Sequence, residues 1–296
     1  MRVNSPIGIF DSGLGGLTVA KRILERLPEE STVYLGDEIH IPYGERSAED
    51  IRSLALGICG FLQSRGAKLI VMACNVSTAT ALDAARDTFP NVPIIGMIDS
   101  GVRAALRVAT DAPIGVLATT GTVRTRAYTR TIHGFAPETR VMEQACPKFV
   151  PLVESGDWCS NDAVRATREY VIPLLEEGCT TLILGCTHYP YLTKVIEEIA
   201  GDGISIIDPS DETAAEAARV LFDRAELNPQ HAEPVHSYYT TASPERFIQL
   251  GSKFLNRELR DVEKISWGVD LRKITCLEKT AEATIKFGKR ELLVDI

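Results

Sequence analysis

The sequence predicts an α/β protein made of two similar parallel-sheet α/β domains. They form a pseudo-twofold pair of the kind that gene duplication leaves, with the active site in the cleft between them. Three observations carry this. Short apolar runs that end in Gly or polar residues alternate with stretches of helical periodicity, as in parallel βαβ units. Two of these runs, LIVMACNVST at Leu69–Thr78 and TLILGCTHYP at Thr181–Pro190, each deliver a Cys followed by polar groups. Two others, IGIFDS from Ile7 and IGVLATT from Ile114, are Gly-flanked strands of one form, and each lies about as far before its Cys as the other. One copy per half is too long a period for a solenoid, so the pattern implies two facing halves with a thiol on each wall.

Composition bounds the rest. A chain of 296 residues, 45% hydrophobic and 24% charged, is long and apolar enough for a sizeable core and has the balance of a soluble globular protein. The formal charge of −8 argues against nucleic acid or an anionic membrane as main partner, and leaves room for a small anionic ligand. The start, MRVNSPIGIFDSG, lacks a cationic, apolar, cleavable leader, and no apolar run approaches about 18 residues, so a cytoplasmic protein is expected. The seven Cys are an odd, scattered set without a CxxC pair or zinc-type His spacing. Neither disulfides nor a metal are expected. A homodimer is left open.

In chain order, a strand at Ile7–Phe10 runs into Asp11, Ser12 and Gly13, and a helical pattern follows from Leu17 to Leu27. The Gly15-Gly16 turn is neither a dinucleotide nor a Walker loop. A strand at Thr32–Leu35 leads to Gly36-Asp37 and the loop His40-Ile41-Pro42-Tyr43-Gly44, which is either an ordinary turn or a binding loop over the sheet edge. A helix from Ala48 to Gln63 leads to the Cys74 strand, a helix from Ala79 to Thr88, and a short strand at Pro93–Gly96. From Asp99 the chain crosses into the second half. There the strand Ile114–Leu117 ends in Thr119, Thr120, Gly121 and Thr122, followed by Arg124, Arg126 and Arg130 on one predicted helix. An arginine there could grip a carboxylate, although a solvated helix face is the commoner use. Helices at Asn161–Glu177 precede the Cys186 strand, and after a strand at Ser205–Asp208, Pro209 marks a return to the first half. Glu212–Leu221 and Pro244–Leu255 read as helices and Ser237–Thr241 as a strand, while Asp270–Ile296 is a charged tail with helix potential at Leu277–Ile285. The expected domains are 1–97 with 210–267, 98–209, and an extension over 268–296.

A lone Cys at a strand end is usually a small core hydrophobe. Two of them facing one cleft point to acid–base work. A thiolate on one side of a carbon can take a proton while the opposite thiol delivers one, which inverts a stereocentre without a cofactor. Both thiols precede predicted helices, whose free N–H groups should favour thiolate. Asp11 on one wall and His188 on the other can assist. The mechanistic rival, acyl transfer from one nucleophilic Cys with a His base, leaves the second thiol without a purpose.

These residues also carry a resemblance. GIFDSGLGGLTV, PYG at Pro42–Gly44, ACN at Ala73–Asn75, ACPKFVPLVESG and LILGCTHYP are together similar to the glutamate racemases of the aspartate/glutamate racemase superfamily, in order from about Ile7 to Trp267. The resemblance implies cofactor-independent, metal-free racemisation of an acidic amino acid, with D-glutamate feeding peptidoglycan synthesis. It implies Cys74 and Cys186 as the paired acid/base residues, helped by Asp11 and His188. Ser12, Tyr43, Gly44, Asn75 and Thr187 would line the substrate pocket with Asp11 and His188, and Pro42, Val76, Thr119 and Thr122 are expected beside them.

Three features depart from the family pattern. Val76 stands where a Thr usually follows Cys-Asn, removing a hydroxyl expected on a substrate carboxylate, and Ser77, Thr78, Thr120 or Arg124 are the candidates to replace it. Glu38, Ile39 and His40 replace the usual TAR of a GDTAR loop, and the tail is long. Val76 and His40 favour the alternatives: another amino acid such as aspartate, or a catalytically silent binding or regulatory homologue.

Overall fold

The computed structural model describes residues 3–229, 233–268, 274–276, 286–287 and 290–291. The helix expected at 277–285 lies outside the described residues.

The first half opens with β1 (Ile7–Asp11), α1 (Leu17–Arg26), β2 (Thr32–Gly36), α2 (Ala48–Ser64), β3 (Leu69–Met72), α3 (Asn75–Thr88) and β4 (Ile94–Gly96). Next come α4 (Ile98–Val108), β5 (Ile114–Ala118), α5 (Thr120–Thr125), α6 (Ala127–Phe135), β6 (Val141–Ala145), α7 (Phe149–Glu154), α8 (Asn161–Glu176), β7 (Thr181–Gly185), α9 (Thr193–Ala200) and β8 (Ser205–Ile207). The chain continues through α10 (Pro209–Asp223), β9 (His236–Thr240), α11 (Pro244–Leu255), β10 (Val262–Trp267) and β11 (Ile274–Cys276). A short antiparallel pair, β12 (Lys286–Phe287) and β13 (Arg290–Glu291), follows.

Two sheets carry the site. The first runs β11-β10-β9-β2-β1-β3-β4 and the second β6-β5-β7-β8. The order β2-β1-β3-β4 in one repeats as β6-β5-β7-β8 in the other, all parallel. β1, β3, β5 and β7 are buried at every position, as strands covered on both faces must be. The fold class is therefore as the sequence predicts. β3 and β7, at matching places, are the strands that lead to Cys74 and Cys186. After β8 the chain rejoins the first sheet, since β9 pairs with β2 in parallel.

The halves share packing as well as symmetry. The largest apolar cluster is continuous from Ile9, Leu17 and Phe247 in the first half to Val171, Leu182 and Tyr189 in the second. At the cleft the backbones nearly touch: a Cβ on Gly121 would lie 2.7 Å from the Gly44 carbonyl oxygen, so neither loop could sit there with a side chain at Gly121.

Five strands, β6, β10, β11, β12 and β13, have no expectation to match them. β6 reads VMEQA and β10 reads VEKISW; both are partly exposed and interrupted by polar residues, without the apolar run that marks a buried strand. The single helix expected to carry Arg124, Arg126 and Arg130 is instead broken at Arg126, whose φ of 54° ends α5 and starts α6.

Candidate active site

Cys74 is the N-cap residue of α3, reached through Ala73 from the end of β3, and is 5% exposed. Burial pushes its thiol up to about 12 and the Asp11 charge adds to this, against the Ser77 hydroxyl and N–H and the Ser12 hydroxyl, which pull it down. The helix N-terminus expected to favour thiolate is present here and is outweighed by desolvation. Cys186, also buried, is not followed by an α-helix at once. A 3₁₀ turn at Tyr189–Leu192 comes first and α9 starts only at Thr193. The helical segment expected after Pro190 is thus present, but it starts too far along to bring its N-terminal N–H groups to Cys186 directly.

What stands beside Cys186 is an imidazole. His188 Nδ1 lies 3.8 Å from the Cys186 Sγ, and its Nε2 is 2.8 Å from Glu154 Oε1. Burial alone would lower the His188 pKa, but the contacts with Cys186 and Glu154 carry it well above the ordinary value of 6.5. Burial likewise works against the Glu154 carboxylate, yet His188 and Arg246 hold its pKa below the ordinary 4.5. Glu154 ends α7, so the ACPKFVPLVESG segment delivers the carboxylate that fixes the imidazole. The ring fits because residue 15 has no side chain: a Cβ there would lie 2.4 Å from His188 Nδ1 and 2.5 Å from Thr187 Oγ1.

Asp11 ends β1 between the two walls and is 1% exposed. Its Oδ2 accepts the Gly13 N–H at 3.1 Å, and its Oδ1 accepts the Thr187 hydroxyl from the opposite half at 3.3 Å. Burial raises its pKa in spite of His188, the Gly16 and Gly13 N–H groups and Thr187, which lower it.

Asp11, Ser12, Pro42, Tyr43, Gly44, Cys74, Asn75, Val76, Thr119, Thr122, Cys186, Thr187 and His188 line one cavity of about 40 Å³. The catalytic and pocket residues implied by the resemblance are all on its wall, whereas His40, Ser77, Thr78, Thr120 and Arg124 are not. Through Ile41, Pro42, Gly44, Thr119 and Val150 it adjoins a vestibule of about 390 Å³ that also meets Glu38, Glu154 and Arg246. Asn75 is held by the Tyr128 hydroxyl, which donates to Oδ1 at 2.8 Å, while its Nδ2 has no hydrogen-bond partner among the described residues. A buried, oriented amide donor of this kind suits a ligand oxygen. Thr119 caps α5 and lies 3.1 Å from the Thr122 hydroxyl.

Several polar groups have other duties. The Tyr43 hydroxyl donates to Asp37 Oδ2 at 2.5 Å, so it lines the cavity with its ring while its O–H is committed elsewhere. Asp37 also accepts from Thr241 at 2.9 Å and from the Trp267 indole at 2.8 Å, and it holds His40 Nδ1 at 2.8 Å. His40 packs edge-on against Trp267 and is not on the cavity wall. The Thr78 hydroxyl donates to the Met72 carbonyl at 2.9 Å and so cannot replace the hydroxyl missing at Val76. Arg124 donates to the Arg46 carbonyl at 3.2 Å and lines a neighbouring groove, and Thr120 lines the vestibule. The Ser77 hydroxyl is buried without a hydrogen-bond partner among the described residues and is not on the cavity wall. Sequence reasoning missed Asp37, Tyr128, Glu154 and Arg246. For Glu154 the motif ACPKFVPLVESG was the available signal, and for Asp37 the GDEIHIPYG loop; Tyr128 and Arg246 lie in stretches with no chemical pattern.

Residues 7–217 match the Asp/Glu/Hydantoin racemase family. The chain belongs to that family. As a racemase of this family it is an amino-acid isomerase. It is 43% identical over 261 residues to the glutamate racemase of Geobacter metallireducens, covering 88% of this chain and 96% of that one. The glutamate racemase of Neisseria meningitidis serogroup B is 40% identical, with 89% and 97% covered. Among solved racemases, that of Francisella tularensis in complex with D-glutamate superposes with a TM-score of 0.84 at 34% identity, covering 89% and 98% of the two chains. The RacE1 isoform from Bacillus anthracis gives 0.85 at 35%, covering 91% and 98%. Among the described residues no cluster of three His, Cys, Asp or Glu could hold a metal ion, and no helix is long and apolar enough to cross a membrane.

Proposed function

We propose that this racemase interconverts L- and D-glutamate by proton transfer between two cysteines, without a cofactor. The observation that carries the reading is that Cys74 and Cys186, delivered by matching strands of two repeated sheets, line the same small cavity. In one direction Cys186 passes its proton to His188 and takes the Cα proton of the substrate. Cys74, kept protonated by burial, donates its own proton to the opposite face of Cα. The substrate leaves inverted, with Cys74 as thiolate and Cys186 protonated. Exchange with solvent, Cys74 gaining a proton and Cys186 losing one, resets the pair for the same enantiomer, and the opposite enantiomer runs the transfer in reverse. Glu154 stabilises the His188 imidazolium, and Asp11 keeps negative charge beside Cys74, which makes that thiolate a stronger base when it forms. Asn75 Nδ2, one hydroxyl of the Thr119–Thr122 pair and backbone N–H groups are the donors for the substrate carboxylates, while the Thr187 hydroxyl donates to Asp11.

The relatives' names support glutamate as substrate, and D-glutamate would supply peptidoglycan synthesis in the cytoplasm. Lobes of residues 1–97 with 210–267 and of 98–209 would part to admit it, because a cavity of about 40 Å³ holds roughly two or three waters. The test is incubation of either enantiomer in D₂O. Racemisation with deuterium at Cα is expected, and absence of exchange with glutamate, aspartate and related acids would end the reading. A second reading, another amino acid such as aspartate, is favoured by Val76 on the cavity wall where the family pattern has a hydroxyl. A panel of amino acids in the same exchange assay separates the two.

A further inference from the structure

Arg246 sits on α11 and reaches across the mouth of the site. Its Nη1 donates to Glu38 Oε1 at 2.6 Å, and its Nη2 donates to Glu154 Oε2 at 2.7 Å. Glu38 follows β2 in the first half and Glu154 ends α7 in the second, so one guanidinium joins both walls of the vestibule. The carboxylates are nearly buried, at 2% and 12% side-chain exposure, whereas Arg246 is 45% exposed. Its base is rigid. Ser243 caps the helix under it, and the next residue, Phe247, is fully buried against Tyr34. Glu38 is fixed from its other side by the Thr240 hydroxyl at 2.7 Å.

We infer that Arg246 is a positioning residue for proton transfer at Cys186, holding one oxygen of Glu154 so that the other stays on His188. The reasoning is electrostatic. Without the guanidinium, Glu38 and Glu154 would be two like charges in a poorly solvated mouth with no cation between them. Glu154 would then gain by turning away or taking a proton, and His188 would lose its anchor. The role also explains Glu38, one of the residues that depart from the family pattern: it supplies the first-half anchor that a Thr at this place would not.

The inference rests on the two-base reading and differs from it in what it predicts. The two enantiomers are isoenergetic, so kcat/KM stays equal in both directions in any variant, while isotope effects need not. In Arg246→Met, kcat is expected to fall about tenfold to a hundredfold, the worth of one charge-assisted hydrogen bond, with a smaller change in KM. The isotope effect from Cα-deuterated substrate should rise for the enantiomer deprotonated by Cys186. It should shrink for the other, whose slow step becomes reprotonation at Cys186. Arg246→Lys keeps the charge but not the fork, and should restore part of kcat and part of the isotope balance. If the methionine variant does not fold, the lysine variant is read by the same two criteria. A folded variant with wild-type kcat, or with kcat lowered but both isotope effects unchanged from the wild-type values, overturns the inference and leaves the racemase intact. Loss of exchange in the unaltered enzyme would instead remove the two-base reading on which it depends.

Discussion

The Cys74 wall and the Cys186 wall come from the same strand pattern, yet they surround their thiols in different ways. Cys74 caps a full helix and has a buried carboxylate, Asp11, close enough to raise its pKa. Cys186 precedes only a 3₁₀ turn and has a protonatable imidazole, itself braced by a carboxylate and an arginine. A repeated backbone therefore places two like groups, and the non-repeated residues around each decide how it handles a proton. The Cys74 wall favours holding a proton, and the Cys186 wall offers somewhere for a proton to go. A two-base reaction needs one group of each kind at the start of every turnover.

The sharpest way to break this comparison is to remove each thiol in turn. Cys74→Ser and Cys186→Ser should each lower racemisation by about 10²–10⁴-fold or more, because a hydroxyl is too weak an acid to stand in. Each single variant should still eliminate a leaving group from a substrate analogue, and only from one enantiomer, opposite for the two variants. Near-normal racemisation in either would refute the scheme.

A smaller effect is expected from disturbing one wall alone. A methyl on residue 15 would fall 2.4 Å from His188 Nδ1, so Gly15→Ala must push the ring off Cys186 or Glu154. Glu154→Gln removes the charge that holds the imidazolium. Each should reduce kcat about tenfold to a hundredfold, equivalent to roughly 1.5–3 kcal/mol. Steady-state kinetics at constant pH would show it, and an unchanged kcat in both variants would remove His188 from the reaction.

Smaller again is the effect of Val76→Thr, which touches the substrate rather than either base. With glutamate as substrate, a restored hydroxyl should raise kcat/KM by up to about tenfold. A fall would mean that Val76 belongs to a pocket shaped for a different acid, and the glutamate assignment should then be given up before the racemase assignment.

A separate effect, on stability rather than turnover, is its dependence on pH. His188 has a raised pKa in the folded protein, so its contribution is complete below its ordinary 6.5 and fades as pH climbs through the raised value. Glu154 has a lowered pKa, so its contribution is present above 4.5 and fades as pH falls through the depressed value. Together they support a plateau between about pH 4.5 and 6.5 that declines as pH rises further, worth roughly 1–3 kcal/mol. Denaturant melts across pH should show that plateau lowered in Glu154→Gln, and identical profiles for the two proteins would count against the ion pair.

Much of this was legible in the linear chain. Buried parallel strands such as LIVM and TLILG announce themselves because both faces are covered, and the thiols follow directly in sequence. The half-exposed strands β6 and β10 carry no such run and were invisible for that reason. The chain by itself determined the repeated α/β class, the two cysteines, and the Asp11 and His188 neighbours that lie within a few residues of strand ends. Tertiary structure decided the rest. A helix after Cys74 did not make it a thiolate, because desolvation depends on what packs over the thiol from distant segments. Likewise Arg246 meets Glu38 and Glu154 only after three separated stretches fold together. Periodicity records which face of an element is buried; it does not record which charged side chains meet across a cleft, and that meeting sets the proton affinities on which the chemistry depends.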